Sequence, residues 1–256
     1  MAAELIIFIT GLTFGSFGNN IISHFINNQK FDLGRSHCFC GEKKLNLFEI
    51  IPIASFLSQR GKCNKCDKRI SIRYFIVEFF TGLLAIILYL KFGLTFLFIS
   101  NFFAFYIMFL IAVIDFLKFI IPNLLLGILL LITIINLIYL QDEILLKIIL
   151  SVGMVIIFFS INLFYSKFRS MDAIGYGDIK YIGIILLLFS FPISLVGLWL
   201  SAFITLPGFY LLKYISRFHR YEQKIPFGTF ISLGYFLLML TDDSLINIYK
   251  HYFMSI

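Results

Sequence analysis

Apolar residues run along this chain in long blocks rather than alternating with polar ones. Eight blocks stand out, at about residues 4–26, 74–90, 94–114, 121–140, 144–165, 179–191, 193–212 and 226–241. A helix rises about 1.5 Å per residue, so about 20 apolar residues cross the hydrocarbon layer of a bilayer. The blocks therefore predict an all-α polytopic membrane protein of about eight transmembrane helices. The sixth block is short and ends at Phe191-Pro192, which predicts a tilted helix or one that continues from a buried loop. The longest polar stretch is 27–73, and it divides the chain into a first transmembrane helix (1–26), a loop domain (27–73) and a transmembrane domain (74–256).

The first block is not expected to be a cleaved signal. It lacks a basic start, contains Asn19, Asn20 and His24, and has no small-residue cleavage site. Gly11 and Gly15 within it form a small-xxx-small face, which either allows close helix approach or reflects ordinary packing.

Composition narrows the class further. Of 256 residues, 60% are hydrophobic, 18% aromatic and only 14% charged, and the mean hydropathy is +0.96. A soluble domain carries about 25% charged residues. So few charges cannot cover a globule of this size, which excludes an ordinary cytosolic enzyme, a disordered chain and a small secreted disulfide scaffold.

The net charge of +7 comes from 21 basic and 14 acidic residues. With the N-terminus outside, ten basic residues fall in 27–73, one in 115–120, three in 166–180 and four in 213–225, all on one side. Only Lys91, Lys147 and Lys250 fall on the other. Lys and Arg collect on the cytoplasmic side, so both termini are expected outside and the loop domain in the cytoplasm. The excess orients the protein and does not imply a nucleic-acid partner. The 27–73 loop has four acids, Asp32, Glu42, Glu49 and Asp67, against its ten cations, which fits contact with anionic lipid headgroups.

Acids near the apolar blocks are few. Glu78, five residues after Arg73, reads as a buried carboxylate paired with a neighbouring cation or hydroxyl. Asp115 ends the third block, just before Ile121-Pro122-Asn123, and Asp178 sits in Gly175-Tyr176-Gly177-Asp178-Ile179-Lys180 where the sixth begins. The topology puts both at the cytoplasmic membrane edge, where an ionisable residue is a functional candidate. If they meet, one keeps a proton while the other stays charged. The charged one can take a proton from water and the protonated one can polarise a peptide carbonyl, which is aspartic peptide hydrolysis without a metal. The alternative is that both are helix-end residues, Asp178 an N-cap and Asp115 a hydrated terminus.

All four cysteines lie in the loop, as Cys38-x-Cys40 and Cys63-x-x-Cys66. A reducing cytoplasm disfavours disulfides, and two short pairs about 22 residues apart read as a zinc ribbon. The first pair is one residue short of the usual knuckle. His37 and Cys40 have H-x-x-C spacing, so His37 is an alternative ligand to Cys38. Four protein ligands would make such a zinc structural. The competing possibility is four reduced thiols without metal.

Together these motifs resemble the type IV prepilin peptidases, bifunctional leader peptidases and N-methyltransferases of the bacterial inner membrane. The resemblance rests on Phe14-Gly15-Ser16-Phe17 with Asn19, Arg35-Ser36-x-Cys38, Ile51-Pro52 with Ser55, and Gly61-x-Cys63-x-x-Cys66. It continues through Ile70-Ser71-x-Arg73-Tyr74, Val77-Glu78, Thr81-Gly82, Ile114-Asp115 and Ile121-Pro122-Asn123. Gly175-Tyr176-Gly177-Asp178-x-Lys180 is the GxGD signature, and Ile225-Pro226-Phe227-Gly228 opens the last span. The ordered set covers about 215 residues.

The resemblance implies two essential aspartates, Asp115 and Asp178, supported by Gly175, Gly177 and Lys180. It implies cleavage of the basic leader from prepilins or pseudopilins at the cytoplasmic membrane face, commonly after a glycine. Methylation of the new N-terminal residue by S-adenosylmethionine follows. The implied partners are those substrates and the bilayer, and the zinc ligands read from spacing are Cys38, Cys40, Cys63 and Cys66. Two departures stand out. Asn20 to Phe25 lack the family's usual Arg-x-Pro, a region associated with methyl transfer, and Thr229 stands where proline is usual, a change expected to matter little. The competing class is a transporter or assembly subunit with acids on a proton path. The chain shows no internal repeat of the kind many transporters carry. A third possibility keeps the protease but changes the substrate, as in the related GxGD peptidases of archaeal preflagellins.

Overall fold

The computed structural model describes residues 2–27, 61–62, 69–169, 173–215 and 225–253. Among these are eight α-helices: α1 (Ala2–Asn27), α2 (Ile72–Phe92), α3 (Phe96–Lys118), α4 (Asn123–Leu140), α5 (Ile144–Arg169), α6 (Tyr176–Leu188), α7 (Ile193–Ile215) and α8 (Phe227–Phe253). Each apolar block has its helix. α1 to α5 and α7 are individually long and apolar enough to cross a membrane, and the Phe227–Thr241 stretch of α8 is a shorter apolar segment.

The sixth block behaves differently, as its length predicts. α6 has 13 residues, so it is about 20 Å long, against a hydrocarbon layer of about 30 Å. It packs against α4, α5, α7 and α8. Its Ile179, Tyr181, Ile182, Gly183, Ile184, Ile185 and Leu186 are buried. From Tyr181 to Leu186 it is apolar and buried all round, as a core helix is, and this stretch is the core of its unit.

The chain forms two compact units, residues 1–106 and 107–256. In the first, α1 and α2 approach backbone to backbone. A Cβ on Gly11 would lie 2.8 Å from Gly82 Cα, and one on Gly15 would lie 2.6 Å from Glu78 Cα. The Gly11/Gly15 face is thus a close helix contact. Phe14 packs edge-on against Phe102 and Phe103, and its carbonyl accepts the Tyr106 hydroxyl at 2.8 Å. Glu78 is buried in this contact.

In the second unit small residues again set helix contacts. Gly183 packs under Val155, and its carbonyl accepts the Ser151 hydroxyl at 2.8 Å. Gly197 packs under Tyr235, Gly208 under Phe230 and Gly234 under Ser201. The outward positions are apolar: Leu124, Leu131 and Ile138 repeat every seven residues along α4 and are all exposed. Thr133, Ser151, Ser201, Thr205 and Ser232 face inward. Apolar outside with satisfied hydroxyls inside is the arrangement a bilayer demands.

Outside the helices, the described loop residues give one bridge, Lys62 to Arg69, with the Ile70 amide donating to the Gly61 carbonyl at 2.8 Å. The sequence between them holds Cys63 and Cys66. The zinc ligands expected from spacing, Cys38, Cys40, Cys63 and Cys66, and the alternative His37, lie outside the described residues.

Candidate active site

Asp115 occupies the last turn of α3 and is 4% exposed. A carboxylate there needs a donor, and α8 supplies it. Thr229 is the third residue of α8, so its amide has no carbonyl to meet within its own helix. It donates to Asp115 Oδ2 at 2.9 Å. The Thr229 hydroxyl lies 2.9 Å from the Ala112 carbonyl and 3.2 Å from the same Oδ2, so its one proton serves two acceptors. Positive charge at a helix N-terminus favours an anion, and Asp115 occupies that position for α8. Pro226 before the helix loses no hydrogen bond there, since it has no N–H to satisfy.

Asp178 stands in the first turn of α6. The N-cap is Gly175, which has no side chain to cap with. The Asp178 carboxylate folds back over it, and a Cβ on Gly175 would sit 2.8 Å from Asp178 Oδ2. Gly177 makes room for a different neighbour, since its Cβ would lie 3.2 Å from Ile121 Cβ. Gly228 faces the same side chain, with Ile121 Cδ1 at 2.8 Å and Asp115 Oδ2 at 3.1 Å from its would-be Cβ. Ile121 is therefore the common neighbour of two glycines from motifs 51 residues apart in sequence.

The two acids meet. The Gly228 amide interacts with both carboxylates, and the charge of Asp115 acts on Asp178. Neither is the simple helix-end residue that the alternative supposed: Asp115 is buried, and Gly175 rather than Asp178 is the N-cap. Asp178 Oδ1 is buried without a hydrogen-bond partner. Lys180 points elsewhere: its Nζ donates to Asn123 Oδ1 at 3.2 Å, tying α6 to the start of α4.

Three further residues shape the site. Asn162 on α5 accepts the Ala173 and Ile174 amides at 2.7 and 3.3 Å, holding the approach to Gly175. Tyr181 is fully buried and shares a 2.7 Å hydrogen bond with Ser232. Ser232 also lies 3.1 Å from the Met108 carbonyl, so α6, α8 and α3 are joined behind the acids. Spacing could have pointed to the pair, since Tyr181 is three residues after Asp178 and Ser232 four after Gly228. Thr229 and Asn162 carry no such signal.

In the first unit a second polar cluster lies where α1 ends and α2 begins. Arg73 Nη2 donates to Ser23 Oγ at 2.9 Å, and Asn19 Nδ2 donates to the Tyr74 carbonyl at 3.0 Å. Asn19 Oδ1 and Arg73 Nε are buried without partners. Among the described residues no group of three or more His, Cys, Asp or Glu is placed to hold a metal.

Residues 9–92 match the bacterial peptidase A24 N-terminal domain, and residues 102–210 match the type IV leader peptidase family. A prepilin leader peptidase/N-methyltransferase of Vibrio cholerae is 32% identical over 195 residues, 69% of this chain and 74% of that one. Its counterpart in Legionella pneumophila is 29% identical over 236 residues, 87% of this chain and 77% of that one. One in Bacillus subtilis is 38% identical over 91 residues, 35% of this chain and 36% of that one. No solved structure matches. The transporter alternative finds no support in these similarities. The chain belongs to the type IV leader peptidase family.

Proposed function

We propose that this member of the type IV leader peptidase family is a prepilin leader peptidase and N-methyltransferase of the bacterial inner membrane. It cuts the basic leader from prepilins or pseudopilins at the cytoplasmic face and then methylates the new N-terminus. The observation that carries the peptidase role is that the start of α8 packs on Asp115 through the Thr229 amide and Gly228, while Gly228 and Gly177, next to Asp178, share the neighbour Ile121.

The hydrogen bonds support different tasks for the two acids. Asp115 receives the Thr229 amide, so it is the member that keeps its charge. It takes a proton from the attacking water. Asp178, with Oδ1 unpartnered, holds the shared proton and gives it to the scissile carbonyl oxygen. The resulting gem-diol collapses when Asp178 takes back a proton from one of its hydroxyls and the leaving amine takes the proton from Asp115, breaking the C–N bond and restoring the pair. The glycines at 175, 177 and 228 leave room for this arrangement, since a side chain at any of them would press on an acid or on Ile121.

S-adenosylmethionine, when bound, supplies an electrophilic methyl group to the amine exposed by cleavage. The unpartnered Asn19 and Arg73 atoms fit its charged end. The four cysteines are assigned a structural zinc from their spacing, and the peptidase step uses no metal. Incubation with a prepilin in lipid nanodiscs, followed by mass spectrometry of the product, tests both activities. The expected product lacks its leader and carries an added methyl group. An uncut substrate would refute the peptidase, and a cut but unmethylated product would refute the second activity alone.

A further inference from the structure

Buried polar groups are almost always partnered, so those that are not mark places where something else completes the bonding. Among the described residues of the second unit these are Asp178 Oδ1, in the peptidase site, Asn162 Nδ2 and Ser194 Oγ. Among the described residues of the first unit there are two, and they have opposite polarity: Asn19 Oδ1 accepts and Arg73 Nε donates.

Local structure holds both in place. Asn19 and Ser23 lie one turn apart on the same face of α1. Asn19 is 1% exposed, and its amide nitrogen is committed to the Tyr74 carbonyl, which fixes its oxygen on the other side. Arg73 follows the α2 N-cap Ser71, whose side chain accepts the Arg73 amide. The guanidinium lies 4.9 Å over the Tyr74 ring, with Nη2 on Ser23. Ser23 is held in turn at 3.2 Å from the Tyr74 hydroxyl. Tyr74 and Ser23 thus fix the plane of the guanidinium, and its Nε–H is left over. Arg73 has no carboxylate partner among the described residues, although a guanidinium pairs best with a planar anion.

A fixed acceptor on Asn19 and a guanidinium fixed at Ser23, one helical turn along the same face of α1, are complementary to an α-amino acid. The α-ammonium donates to Asn19 Oδ1, and the α-carboxylate accepts from Arg73. We propose that Asn19, Ser23 and Arg73 bind the methionyl amino-acid end of S-adenosylmethionine, an inference that rests on the methyltransferase half of the proposed function. A phospholipid headgroup with an ammonium and a phosphate has related charges, and the test separates the two.

The probes are S-adenosylhomocysteine, which keeps the amino-acid end, and 5′-methylthioadenosine, which lacks it. Binding of each is measured by titration calorimetry on the full chain in phosphatidylcholine nanodiscs. The wild type is expected to prefer S-adenosylhomocysteine. Arg73→Gln is expected to weaken it roughly ten- to a hundredfold, the scale of one hydrogen bond to a charged group. Binding of 5′-methylthioadenosine should persist unchanged, which also shows that the variant is folded. Arg73→Lys repeats the test with the charge retained and the Nε–H removed, and should lose part of the same preference. Unchanged S-adenosylhomocysteine affinity in both variants, as a lipid site would give, overturns the inference while leaving the methyltransferase intact. Equal loss of both probes in Arg73→Lys also overturns it. A wild type that binds neither probe and adds no methyl group fails the parent reading instead.

Discussion

Thr229 stands 114 residues after Asp115 in sequence and hydrogen-bonds to it in space. Its replacement of proline was expected to matter little; it brings to Asp115 a hydroxyl and a backbone N–H that proline lacks. Sequence cannot advertise such a contact, because every residue except proline owns that group. Asp115, Asp178, Gly175 and Gly177 were legible because polar and flexible residues stand out at the ends of apolar blocks. Thr229→Val keeps the amide and is expected to cut prepilin at close to the wild-type rate. Thr229→Pro removes a hydrogen bond to a charged acceptor and should lower kcat about tenfold with KM little changed. Steady-state cleavage of a fluorescent leader peptide separates the two. Gly175→Ala puts a Cβ 2.8 Å from Asp178 Oδ2, and the displaced acid should cost about a hundredfold in kcat while the protein still folds.

Apolar blocks locate helices well but not their ends. The third block stops at 114, because hydropathy falls at Asp115 and Lys118. The helix continues to Lys118, since backbone hydrogen bonding is indifferent to side-chain polarity. The sixth block showed its shortness but not its neighbours, because its stretch from Tyr181 to Leu186 is buried on every side and has no polar face to mark its orientation. In α1 the small-residue spacing was readable, and its partner helix was not. Gly15→Leu should drive α1 from α2, since even a Cβ would lie 2.6 Å from the Glu78 backbone. A loss of about 1–3 kcal/mol is expected, read as a lower unfolding temperature in detergent. For the cysteine loop, roughly one zinc per chain is expected by elemental analysis. Cys63→Ser and Cys66→Ser should lose it.

The whole molecule is ordered by what surrounds it. Exposed leucines and isoleucines on α4, α5 and α7, with hydroxyls turned inward, describe a protein solvated by lipid. The same sequence predicts an orientation, from the 18 of 21 basic residues assigned to one face. That orientation is testable, because the four cysteines of the chain all lie in 27–73. In intact cells a membrane-impermeant thiol reagent should leave them unlabelled, and in permeabilised cells with chelator it should label them. What composition could not convey was that residues 63 positions apart, Asp115 and Asp178, meet at one helix N-terminus, since that contact depends on the packing of three helices. The direct test is the mass of a prepilin after incubation with the wild type, Asp115→Asn and Asp178→Asn. The wild type should remove the leader, and each variant should lower the rate about a thousandfold or more. Undiminished cleavage by either variant would contradict the paired-acid mechanism.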